Sequence, residues 1–291
     1  MKTTLKKLLA GILCAALVLL SFGVFSYAKK APPPVKFVVL GDSIAAGSGV
    51  EDKKDAYAWL IAADKGYDLA NFARGGDTSA DLLRKVTEDE EIRQAVGAAD
   101  IIAVSIGGND LMHAEEVASM VIEGMLGEYG RIEPVLDTFR KNFAKIIAAL
   151  RALNPDAMLI VQTLYNPAFP LPSLVEAYDT AIKGLNAVIH KYLAKHPGAY
   201  RIADVYAAFQ GRNGLAFIDM THPSAAGHAM IAAVLEGVID GGKPQLPPAD
   251  DALDLFVQLL QPVLALLDAV LVGGVLRIVY GALSPVLTLL T

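Results

Sequence analysis

Lys36-Phe37-Val38-Val39-Leu40-Gly41-Asp42-Ser43-Ile44-Ala45-Ala46-Gly47 is the stretch whose reading decides the fold. An apolar run stops abruptly in Gly-Asp-Ser and loosens into small residues, the pattern of a buried strand that delivers one serine to its carboxyl end. A serine hydroxyl is a weak nucleophile at neutral pH. A chemical role for Ser43 therefore requires a histidine to take its proton and a third group to orient that histidine. Far downstream, Asp219-Met220-Thr221-His222-Pro223 supplies both residue types.

Outward from this strand the chain alternates. Helical spacing from Asp55 to Lys65 ends at Gly66, Tyr67–Asn71 reads as a second strand, and Ser79–Val86 as a helix. Thr87 and Glu90 have capping-box spacing for a further helix that Gly97 closes. Asp100–Ile106 is the clearest buried strand and runs into Gly107-Gly108-Asn109-Asp110. Helices are expected over 111–127, 134–153, Ser173–His196 and Ala225–Ile239, and strands over Ala157–Leu164 and Tyr200–Val205. This rhythm across residues 35–240 means crossover connections. It predicts an α/β, three-layer α/β/α sandwich around a mostly parallel, flavodoxin-like sheet of about five strands. Ligands sit beyond the carboxyl ends of such strands, so the polar-glycine segments 41–43, 76–78 and 107–110 are expected to converge on one rim.

The flanks differ from this middle. Hydrophobic residues make up 54% of the chain, and part of that excess lies outside the sandwich. Lys2, Lys6 and Lys7 precede an apolar run from Leu8 to Phe25 and then Ser26-Tyr27-Ala28, a small-x-small cleavage pattern; residues 1–28 read as a secretory signal, with an uncleaved anchor as the alternative. The single cysteine, Cys14, falls inside this segment behind Leu13, so neither a disulfide nor a lipoprotein linkage is expected. Loss of 1–28 leaves 22 basic against 31 acidic side chains, a balance of −9 that repels phosphate backbones and argues against a nucleic-acid partner. Residues 29–34, with three consecutive prolines, form a stiff spacer.

Each chemical motif has a structural reading when taken alone. Gly-Asp-Ser is common turn chemistry. Asn109 or Asp110 would serve as a helix cap for 111–127. Asp219 and His222 would make a local turn. Gly-x-Ser-x-Gly is absent because position 45 is Ala, which disfavours the α/β-hydrolase arrangement. No His-Glu-x-x-His and no His/Cys cluster is present, so no metal or other cofactor is indicated. His113, His190 and His196 read as solvated helix positions, and His228 as packing or capping.

Taken together and in this order, Gly41-Asp42-Ser43, Asn71-Phe72-Ala73-Arg74-Gly75-Gly76-Asp77-Thr78, Gly107-Gly108-Asn109-Asp110 and Asp219-Met220-Thr221-His222-Pro223 resemble the blocks of the SGNH hydrolases, also called GDSL-type lipases and esterases. The resemblance covers roughly residues 35–240. It implies Ser43 as nucleophile, His222 as general base and then acid, and Asp219 as the residue orienting His222. It also implies an oxyanion hole from the Ser43 amide, a glycine amide assigned to Gly76 rather than its neighbour Gly75, and the Asn109 side chain. The residue chemistry agrees: asparagine carries an NH₂ donor that aspartate lacks, glycine lets the backbone approach an oxyanion, and Pro223 biases His222 away from helix. Asp110 is assigned a structural role.

After a Pro/Gly linker at 241–250, residues 251–291 are mostly Leu, Val and Ala, split by Gly273-Gly274. Asp251, Asp254, Gln258, Gln261 and Asp268 recur at alternating three- and four-residue steps, with Ala265 in the one vacant step, a narrow polar stripe on an apolar helix that Pro262 should kink. Arg277, Ser284 and Thr288 repeat the stripe weakly, so an apolar helical hairpin is expected. Its aspartates and short uncharged runs disfavour a membrane span. The expected function is an extracytoplasmic serine esterase or lipase acting on short or medium acyl esters, lysophospholipids among them. An O-acetyl esterase of cell-wall or extracellular glycans is a second reading. A non-catalytic module that associates with membranes or with itself through 251–291 is a third.

Overall fold

Five parallel strands make the sheet: β1 (Lys36–Gly41), β2 (Asp68–Asn71), β3 (Ile101–Ser105), β4 (Met158–Gln162) and β5 (Arg201–Ala203), in the order β2-β1-β3-β4-β5. This computed structural model describes residues 32–114, 117–167, 172–211, 221–247 and 251–276. The chain leaves β1 to one side for β2 and returns to the other side for β3. The order therefore reverses between β1 and β3, and a crevice opens beyond their carboxyl ends. Gly41 pairs with Ser105 and Val39 with Asn71, so these strand ends lie close together.

Alternate side chains point to opposite faces of each strand, so a continuous apolar run feeds two cores at once. Val38, Leu40, Ile102, Val104, Leu159 and Val161 join one core. It is covered by α2 (Ser79–Glu88), α3 (Glu90–Gly97), α6 (Glu133–Leu153) and α7 (Pro172–Lys195). Phe37, Val39, Ala103 and Ile160 join the other, covered by α1 (Tyr57–Lys65), the short α8 (Val205–Phe209) and α9 (Ala225–Ile239). The three-layer sandwich predicted from the sequence is the observed one.

Several element boundaries move. The capping box belongs to Thr78 and Asp81 at the start of α2, not to Thr87 and Glu90. Thr87 lies inside α2, where its hydroxyl donates to the Leu83 carbonyl at 2.8 Å, and Asp89 caps α3 by accepting from the Ile92 amide. Residues 111–127 do not form one helix. A short α4 (Gly108–Met112) starts directly after the glycine turn and is followed by α5 (Val117–Met125). Val205 is not in β5, because Asp204 accepts from the Ala207 amide and opens α8.

The tail begins with α10 (Asp251–Val270), which is helical through Pro262 and passes into wider π-helical turns over Leu271–Leu276. The glycine pair thus loosens the coil rather than ending it. The second arm of the expected hairpin, 277–291, and the secretory segment 1–28 lie outside the described residues. Among the described residues no helix is long and apolar enough to cross a membrane. The orientation of α10 is unexpected: half-buried Asp268 faces the domain, while Leu259, Val263, Leu266 and Val270 are exposed. Asp268 accepts from the Ser173 amide at 3.2 Å and from its hydroxyl at 2.5 Å, placing a carboxylate at the amino end of α7.

Candidate active site

The rim begins at Gly41, whose φ of 136° is open to glycine. A methyl group there would lie 1.9 Å from the Ser105 carbonyl oxygen, so β1 could not stay paired to β3. The Asp42 amide donates to that same oxygen at 3.1 Å. The chain then curls, with the Ala46 amide donating to the Asp42 carbonyl and the Ser48 amide to the Ser43 carbonyl, both at 2.9 Å. Ser43 sits at the start of this curl, partly exposed.

Asn71, at the end of β2, pins the curl from the side. Its amide nitrogen donates to the Ala45 carbonyl at 2.8 Å, and its oxygen accepts from the Ala73 amide at 2.9 Å. The Arg74 amide donates to the Gly41 carbonyl at 3.0 Å. Gly75 and Gly76 are thereby carried alongside Ser43. A methyl group on Gly75 would lie 3.8 Å from the Ser43 Cβ, and one on Gly76 would lie 3.9 Å from His113 Cε1. Among the described residues neither the Ser43 nor the Gly76 amide hydrogen is given to a protein acceptor.

Asn109 enters from the turn after β3. Its Nδ2 donates to the Asp77 carbonyl at 2.9 Å, which fixes the amide plane and engages one of its two hydrogens. Asp110 caps a different helix from its own. It accepts from the Ser79 amide at 2.9 Å and the Ser79 hydroxyl at 2.5 Å at the start of α2, while Asn142 donates to that hydroxyl at 3.0 Å. The structural role read for Asp110 holds, on a partner that the sequence did not indicate.

The His222 segment reaches the rim from the opposite side. The Tyr165 hydroxyl donates to the Thr221 carbonyl at 2.8 Å, and its ring stacks on Phe209 with centroids 4.7 Å apart. Gly49, at φ 98°, lets the Ser43 loop close onto this segment, since a methyl group there would lie 2.1 Å from the Pro223 oxygen and 3.1 Å from His222 Cβ. Fully buried His228 secures the same loop: its Nε2 lies 2.9 Å from the Ser48 carbonyl and its Nδ1 accepts from the Tyr57 amide at 3.4 Å. Burial lowers the His228 pKa, so the ring is neutral with its proton on Nε2. His113, His190 and His196 are exposed, as read from the sequence. Ser43, Gly75, Gly76, Asn109 and the Thr221–Pro223 segment thus meet at one rim. Asp219 lies outside the described residues.

Beside Ser43 opens a pocket that Ser43, Asn109 and Thr221 all line. Its polar lining is Asp42, Ser105, Gln162 and Thr163, and its apolar walls include Ile44, Leu111, Leu164, Tyr165 and Ile182. Asp42 is buried, and desolvation pushes its carboxyl up to about 7 against the opposing pull of the Ile44 amide at 3.1 Å. Gln162 donates to the Tyr57 hydroxyl at 2.8 Å, and burial pushes that phenol up as well. Among the described residues no group of three His, Cys, Asp or Glu side chains is placed to hold a metal ion.

Sequence reasoning left the supporting residues without roles. The signal for Asn71 is local: an asparagine closing a strand carries the donor and acceptor that a loop clamp needs. Tyr165 had no signal, because its partner lies 56 residues away.

Comparison with known proteins places the family and the fold. The model of the GDSL-like Lipase/Acylhydrolase family matches residues 39–230. The uncharacterized protein YpmR of Bacillus subtilis (strain 168) is 28% identical over 234 residues, 76% of this chain and 88% of its own. Among solved structures, a lipase from a goat rumen metagenome shares the fold at 24% identity and a TM-score of 0.58, over 73% of this chain and 100% of that one. Phospholipase A1 of Streptomyces albidoflavus does so at 24% identity and a TM-score of 0.56, over 69% and 98%.

Proposed function

The chain belongs to the GDSL-like lipase/acylhydrolase family of ester-bond hydrolases, and from that premise we propose that it cleaves carboxylic esters of apolar acyl groups through an acyl-enzyme on Ser43. In this reading Ser43 Oγ attacks the ester carbonyl carbon while His222 takes its proton. The alcohol leaves with that proton, and a water activated by His222 then releases the acid and restores Ser43. Asp219 orients His222. The oxyanion is met by the Ser43 and Gly76 amides and by the Asn109 hydrogen that Asp77 leaves free. One observation carries the reading: Ser43, Asn109 and the residue preceding His222 line one cavity whose walls are largely aliphatic and aromatic.

Those walls favour an acyl chain over an acetylated sugar, which would need more hydrogen-bonding groups than the lining offers. Lys2, Lys6, Lys7 and the apolar run that follows support action outside the cytoplasm, and the exposed leucines of α10 support association with lipid or with another copy. A fluorophosphonate probe tests the core of the proposal, since it labels only an activated serine. Labelling and turnover of a chromogenic ester should both vanish in Ser43→Ala, and Asn109→Ala should retain labelling while losing about 100-fold or more in kcat. Ester turnover that survives Ser43→Ala overturns the assignment.

A further inference from the structure

A second, smaller pocket adjoins the first. Val117, Met120 and Val121 of α5, Ile132, and Ala177 and Ala181 of α7 line it, and no charged side chain does. Leu111, Met112 and Tyr178 line both cavities. The division between the two spaces is therefore made partly by side chains rather than by backbone. Met112 is the adaptable part of it: it is unbranched and 41% exposed, and its sulfur accepts a long contact of 3.9 Å from the Tyr178 hydroxyl. The surrounding walls are stiffer. Gly124 brings α5 so close to α7 that a methyl group there would lie 2.8 Å from the Ala177 Cβ, and Arg131 ties Glu123 at 2.7 Å.

We infer that the two cavities are chambers of one acyl channel, with Met112 as the movable partition: a short acyl group fills the first chamber, and the end of a long one passes Met112 into the second. This rests on the reading of Ser43 as the nucleophile and goes beyond it by naming long-chain esters as substrates. A mostly apolar, uncharged space that shares Leu111, Met112 and Tyr178 with the ester pocket suits a hydrocarbon terminus. A head group or a sugar would lose its hydrogen bonds there without replacement.

The test compares kcat/KM for butyryl, octanoyl and palmitoyl p-nitrophenyl esters. Val121→Trp, placed on the partly exposed rim of the second chamber, should lower the palmitoyl-to-butyryl ratio about tenfold, the scale of apolar pocket discrimination. Met112→Ala, which shortens the partition, should raise the ratio severalfold and decides the matter if the tryptophan variant fails to fold. A ratio that neither change moves, in an enzyme still active on butyryl ester, overturns the channel alone. A parent protein inactive on every chain length overturns the channel together with the esterase reading.

Discussion

Helices α9 and α10 are both apolar and are separated by only a short proline-containing stretch, yet they meet opposite surroundings. In α9, Met230, Ile231, Val234 and Leu235 are at most 4% exposed, packed against the sheet. In α10, Leu259 and Leu266 are 69% and 67% exposed, and among the described residues from 259 onward the line of Leu260, Leu264 and Asp268, continued by Val272 in the turns that follow, faces inward. Apolar composition says that a segment seeks cover but not where it finds it. For α9 the cover is the sheet face left open between α1 and β5. For α10 the α7 flank accepts one narrow line, anchored by a carboxylate rather than by a leucine.

The carboxylates of the two regions sharpen the contrast most. Asp42 is buried and its pKa lies near 7, above the unfolded value of 3.8. Between those values the folded chain holds a proton that the unfolded chain has released, so this group's contribution to stability is full at acid pH and is lost as pH rises. The loss between about pH 4 and pH 7 is on the order of 4 kcal/mol. Denaturant titrations of the parent and Asp42→Asn across that range should show their difference changing with pH. Asp110 and Glu236, raised by burial, and Asp52 and Asp81, lowered by hydrogen bonds, are common to both proteins and cancel in the difference. Equal slopes in the two proteins would mean that Asp42 is solvated.

Next in size is Leu235→Ala. It removes a fully buried side chain from α9 and should cost about 3 kcal/mol in unfolding free energy. A change below about 1 kcal/mol would show that the second core can close around the gap, and the contrast with α10 would lose its basis. Asp268→Ala should cost about 1 kcal/mol, the scale of a lost helix cap, by freeing the Ser173 amide and hydroxyl. Asp268→Asn should recover most of that loss, because an amide oxygen can still accept.

The same contrast marks what the sequence could show. Strands that must be apolar on both faces announce themselves, as Phe37–Leu40 and Ile101–Val104 do, and the turns at their ends carry the residues that a rim needs. Three positions misled for local reasons. Thr87 has capping-box spacing, but Asp89 lies nearer the helix start and accepts just as well. Residues 111–127 have one helical period, but the glycine turn starts its helix at Gly108, and the chain must still reach α5. Asp204 ends β5 early by capping α8. The polar stripe of α10 was visible as a stripe, but nothing in its periodicity tells which side meets protein. Contacts such as Tyr165 to Thr221 and His228 to Ser48 join residues far apart in the chain, so no local pattern could reveal them.

The smallest expected effect belongs to Leu266→Ala. At 67% exposure this side chain has little apolar surface removed from water by folding, so its truncation should change unfolding free energy by less than about 0.5 kcal/mol. The measurement is informative because Leu235→Ala is the same chemical change. A cost for Leu266→Ala approaching that of Leu235→Ala would mean that the outer face of α10 is covered in solution. Its dependence on protein concentration would then identify the cover, since burial against a second copy weakens on dilution whereas burial within the chain does not.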